Sequence, residues 1–74
     1  MITISFYPKY LDPEINRDEQ TAAYRAWLET HGDYGRLFMW DIGRISPNNM
    51  EAQVIGVRIF QDEIATLFKL MFDV

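Results

Sequence analysis

The stretch VRIFQDEIATLFKLMF, residues 57–72, decides the fold, because it hands a strand over to a helix and then leaves an apolar tail. Its first part closes the run AQVIGVRIF, in which Ile55, Val57 and Ile59 alternate with residues bound for the other face, the period of two of a half-buried strand. Gly56 reads as a weak strand position in preference to a bulge or a close backbone approach. Asp62 and Glu63 then stand where a helix N-terminus favours negative charge, and Ile64, Ala65, Leu67 and Phe68 form an apolar stripe. The tail Leu70, Met71, Phe72 and Val74 either prolongs this helix or returns to the sheet as a short last strand.

Upstream, GRLFMWDIG is bounded by Gly35 and Gly43 and reads as a strand with Phe38, Trp40 and Ile42 on one face and Leu37 and Met39 on the other. Pro47-Asn48-Asn49 is turn chemistry that joins it to the following strand as an antiparallel hairpin. At the start of the chain, Ile2, Ile4 and Phe6 alternate with Thr3, Ser5 and Tyr7 until Pro8 stops the strand. A helix follows, opened either by Asp12-Pro13-Glu14 or by Asn16 with Glu19 three residues on. Its stripe is Ala23, Tyr24, Trp27 and Leu28, and His31-Gly32 closes it. The order is β-α-β-β-α with a further β if the tail is extended. With that last strand it is the ferredoxin-like order, an antiparallel sheet with two helices on one face and the other face open. All 74 residues form one small domain, with segments 8–16 and 45–51 as connectors.

Composition narrows the function classes. Aromatic residues make up 15% of the chain, so a core built on rings is expected despite the small size. There is no cysteine, which excludes disulfides and thiolate metal sites. Eleven carboxylates against seven Lys and Arg give a net charge of −4, opposing approach to nucleic-acid phosphates and favouring basic partners. Residues 1–8 have neither a charged n-region nor a long apolar run, so no signal peptide or membrane span is expected, and the cytoplasm is the default address.

The run from Phe60 to Phe72, with Ala65, Phe68, Lys69, Leu70 and Phe72 in an A-x-x-F-K-L-x-F arrangement, resembles the C-terminal end of many short proteins of tailed phages. The resemblance covers about a quarter of the chain and brings no catalytic residues. It implies a phage-encoded accessory protein acting in the host cytoplasm, a class that binds and blocks host enzymes, polymerases or defence complexes, anti-CRISPR proteins and DNA mimics among them.

Tests for chemistry return little. His31 beside Asp33 could form an acid-base pair or a metal ligand, but it is the only histidine and reads as a helix-end residue. Ser5 and Ser46 lack a nucleophile context, and the four glycines are isolated, so no phosphate loop is present. No enzyme activity, cofactor or metal is expected. Asp12, Glu14, Asp18 and Glu19 gather at the first helix start, where capping is the plain reading and electrostatic steering toward a basic protein surface, such as that of a host nucleic-acid-processing or defence complex, the functional one. Tyr7, Leu37, Met39, Arg58 and Phe60 fall on the sheet face assigned as open, a composition typical of protein interfaces. The expected function is therefore a protein-binding module, with a second copy of the chain among its partners. The alternative is a small nucleic-acid-binding domain of RNA-recognition-like topology, disfavoured because Arg58 is the only basic residue of the five.

Overall fold

A computed structural model of the chain describes residues 1–44 and 51–74. Strands β1 (Ile2–Ser5), β2 (Phe38–Gly43) and β3 (Gln53–Ile59) form an antiparallel sheet in the order β1-β3-β2. Helix α1 (Arg17–Glu29) connects β1 to β2, and α2 (Asp62–Phe72) follows β3. The hairpin turn at Pro47-Asn48-Asn49, and Ser46, lie outside the described residues. No described helix is long and apolar enough to cross a membrane.

The full ferredoxin-like arrangement is not formed, because the tail is helical. Phe68 is fully buried and Phe72 half-buried, their rings 5.0 Å apart, and Phe72 also meets Tyr24 at 4.8 Å. The i, i+4 spacing carries both rings to the core only if the helix runs through Phe72. Asp73 then caps it in the left-handed region (φ 54°), its N–H donating to Lys69 O. No fourth strand forms among the described residues.

The core is a continuous cluster in which Ile4, Phe6, Phe38, Val57 and Ile59 from the sheet side meet Tyr24 and Leu28 of α1 and Ala65 and Phe68 of α2. Phe6 is its hub, with ring centroids of Tyr24 at 4.7 Å, Tyr10 at 5.1 Å and Phe68 at 6.5 Å. Tyr10, in the connector at a short 3-10 turn (Lys9–Leu11), is as buried as any strand residue, and its hydroxyl bonds Thr21 Oγ1 at 2.9 Å. Of the two helix openings readable in the sequence, Asn16 is the N-cap, accepting from Glu19 N at 3.2 Å.

Three strand and helix expectations need correction. Between Asp41 and Ile42 the β2–β3 register slips, so Asp41 pairs Gly56 while Ile42 pairs Val54. The extra residue, Ile55, makes this a β-bulge. As a result Val54, not Ile55, packs against the core, and Ile42 lies 59% exposed at the far end of the sheet. Gly56 is not a plain weak strand position: it stands next to the bulge and is a close approach, where a Cβ would overlap Ile4 O of β1. In the helices, Ala23 and Leu67 fall outside the buried stripes and are exposed.

Candidate protein-docking surface

The strand register builds the second face of the sheet in rows. Thr3, Arg58 and Met39 stand side by side across β1, β3 and β2, and Ser5, Gly56 and Asp41 form the next row. Side chains of one row share a face because all three residues are paired at one level of the ladder. Opposite them, in the alternate rows, Ile4, Val57 and Trp40 face the helices. Thr3, Ser5, Met39 and Arg58 are all exposed.

Of the five residues expected on this face, three are there. Met39 is 40% exposed, Arg58 lies beside it, and Phe60, 36% exposed, extends the ladder by donating from its N–H to Leu37 O at 2.8 Å. Phe60 is two residues beyond Arg58 and so stands diagonal to Met39, within reach of a cross-strand apolar contact. Leu37 is not on the surface: it is 2% exposed, seated against Gly32, where an added Cβ would come within 2.7 Å of it. Tyr7 also leaves the face. The chain turns after β1, and the ring packs against Tyr10 (5.8 Å between centroids) beneath the Arg17 guanidinium, 5.8 Å from its centroid. The face is consequently less apolar than the strand alternation implies, with Thr3, Ser5 and Asp41 beside the two apolar side chains.

Arg58, the one basic side chain among the described residues of this face, is committed. Arg58 Nη2 donates to Asp41 Oδ1 at 3.1 Å, a half-exposed ion pair across neighbouring strands. Such a pair contributes little to stability; its consequence is to tie the two side chains to each other across neighbouring strands.

The four carboxylates proposed for steering are placed elsewhere. Asp12 Oδ1 accepts from Glu14 N at 2.9 Å in the connector, and Asp18 and Glu19 occupy the first turn of α1. All four are exposed and none takes part in an ion pair with another described residue. They sit in the connector and the first turn of α1, not on the strands that carry Met39 and Arg58. Arg17, amid them, is tied inward by Nε to Tyr10 O at 3.0 Å and Nη1 to Gln53 Oε1 at 3.1 Å.

One apolar surface was not anticipated. Leu67, Leu70 and Met71 are 48%, 77% and 62% exposed along α2. Their i, i+3 and i+4 spacing gathers them on one side of the helix. The signal was an apolar arc wider than the single stripe a one-sided helix needs; with Leu67 assigned to the buried stripe and the tail readable as helix or strand, it did not stand out.

Residues weighed for chemistry have structural partners. The His31 ring rests on Trp27 at 4.2 Å, and Ser5 Oγ accepts from Tyr7 N at 3.2 Å. No group of three or more acidic or histidine side chains among the described residues could hold a metal ion. Burial pushes the Tyr10 phenol up to about 12 and the Tyr24 phenol up as well. The Tyr10 phenol influences Tyr24, yet no hydrogen bond of good geometry reaches Tyr24 Oη, and Tyr7 Oη is likewise unpartnered. No family model matches the chain, and no curated protein or solved structure matches it.

Proposed function

We propose that this chain is a non-enzymatic protein-binding module that docks through the uncovered face of its sheet. In line with the phage resemblance of residues 60–72, its role is that of an accessory protein that binds and inhibits or modulates a host protein. The observation that carries the reading is the cluster of Met39, Arg58 and Phe60, exposed together on a rigid sheet with the helices packed behind it. Met, Phe and Arg are types enriched where interfaces concentrate their binding energy, and a sheet holds them at little further entropic cost. Asp41 and Arg58 supply one charge of each sign at the edge of that cluster, enough to fix the orientation of a docked partner. The net charge of −4 and the carboxylates at Asp12, Glu14, Asp18 and Glu19 favour a partner with a basic surface. Direct nucleic-acid binding fits less well, because the guanidinium on the face is already paired with Asp41.

The test is a comparison of affinity captures from bacterial lysate by the unaltered chain and by a Met39→Asp, Arg58→Glu double variant. Both side chains are surface-exposed, so the variant is expected to fold. Loss of a captured protein by about tenfold or more supports the reading. Equal capture by both forms removes the sheet face as the docking surface.

A further inference from the structure

We infer that β1 is a self-pairing edge, and that two copies of this chain join β1 to β1 in antiparallel fashion to make one six-stranded sheet. The inference adds a second copy to the protein-binding reading and uses a different surface, the strand edge in place of the sheet face.

Among the described residues, β1 is hydrogen-bonded on one side only, to β3. Phe6 N donates to Ile55 O at 2.9 Å, which fixes the alternation along the strand. Ile2, Ile4 and Phe6 direct their backbone groups at β3, and Thr3 and Ser5 direct theirs away from the sheet. This free row sits where a fourth strand would lie if the tail were extended, but the tail is helical through Phe72.

Natural edges are guarded by charge, proline, bulges or covering loops. Within Ile-Thr-Ile-Ser there is no charge and no proline, and the bulge of this sheet lies on the other side of β3. The opposite edge is guarded. Gly35 N already occupies Phe38 O at 2.8 Å, and Asp41 places a charge on β2. Among the described residues β1 carries no charge, proline or bulge, and its shortness is what protects it.

The occupant that fits is β1 of a second copy. A two-fold axis at Ile4 sets Thr3 opposite Ser5 of the other copy, a small hydroxyl pair of the kind that stabilises cross-strand neighbours. It closes about four backbone hydrogen bonds and puts the two Ile4 side chains adjacent on the helix side. No like charges meet on the paired strands, although each copy carries −4 overall. So short a junction buries less than the roughly 1,200 Å² of a stable complex, and the dimer is weak and concentration-dependent.

Sedimentation equilibrium from about 10 µM to 1 mM, with residue-resolved amide exchange at both ends of the range, tests the inference. The expected result is a mass rising toward twice the monomer, with Thr3 and Ser5 amides slowing by about tenfold while Ile4 stays slow throughout. Thr3→Pro removes only an outward N–H, a place where an edge strand tolerates proline, and should abolish the dimer while leaving the monomer folded. Thr3→Lys should do the same. Met39→Asp should leave the dimer intact. A monomer at every concentration overturns the inference, as does a dimer in which Thr3 and Ser5 amides still exchange fast. Neither result bears on capture through the sheet face, so the two readings fail separately.

Discussion

Replacing Gly56 with alanine tests the tightest feature of the sheet. Gly56 lies between Ser5 of β1 and Asp41 of β2, and an added Cβ would overlap Ile4 O and come within 3.3 Å of Ser5 Cα. Both obstacles are backbone, so no side-chain rotation relieves them. β1 would have to move away from β3 by on the order of 1 Å, stretching ladder bonds such as Phe6 N to Ile55 O, now 2.9 Å, beyond good geometry. Overpacking costs about 1–3 kcal/mol, and obstacles that are all backbone put this site at the upper end, about 3 kcal/mol. Removing a glycine from the unfolded chain offsets about a third of that, roughly 1 kcal/mol. A net loss of about 2 kcal/mol is a large share of the roughly 4–11 kcal/mol expected for 74 residues. It should lower Tm by about 8–16 °C in a thermal melt followed by circular dichroism. Gly35→Ala is the control: nothing lies within 4 Å of its Cβ, and only the positive φ of 87° opposes the change, at about 1 kcal/mol. A Gly56→Ala protein melting within about 2 °C of the parent would refute the close approach of β1 and β3.

Tyr24→Phe should be neutral or stabilising by up to about 1 kcal/mol, since it removes a buried hydroxyl without a hydrogen-bond partner; a loss above about 1 kcal/mol in urea titration would mean that the hydroxyl is satisfied. The two raised phenols make a linkage prediction. Because the folded state holds these protons above the ordinary tyrosine pKa, their contribution is complete below about pH 10 and is lost as pH rises, for Tyr10 as it climbs toward about 12. Melts between pH 9 and 12 should show falling Tm, and Tyr10→Phe should flatten the slope. Reversing Asp18 and Glu19 to lysine should slow association with a basic partner severalfold at low salt and leave dissociation unchanged, as measured by surface plasmon resonance. An unchanged association rate would remove the steering role.

The candidate surface was legible only in part, and the reasons are specific. Alternation of Phe38, Met39 and Trp40 and of Val57, Arg58 and Ile59 placed Met39 and Arg58 correctly, because those residues sit in uninterrupted ladder. Tyr7 and Leu37 lie just outside the strands. There the period of two no longer holds, and local turns carry both side chains into packed surroundings. Ile55 was misplaced by a bulge whose single extra residue reverses the facing of everything beyond it.

Alternation in residues 2–6, 38–40 and 57–59, Asn16 with Glu19, and the acidic start of α2 are local signals, and from them the sequence by itself determined the element order, the antiparallel hairpin and an aromatic core. Local periodicity could not say whether Leu70–Phe72 would be strand or helix, since the same apolar residues satisfy either. Tertiary packing decided it: Phe72 finds Tyr24, Trp27 and Phe68 only as the next turn of α2. That choice leaves β1 at the edge of a three-stranded sheet, because the burial of one ring outweighs the few hydrogen bonds a terminal strand would have made.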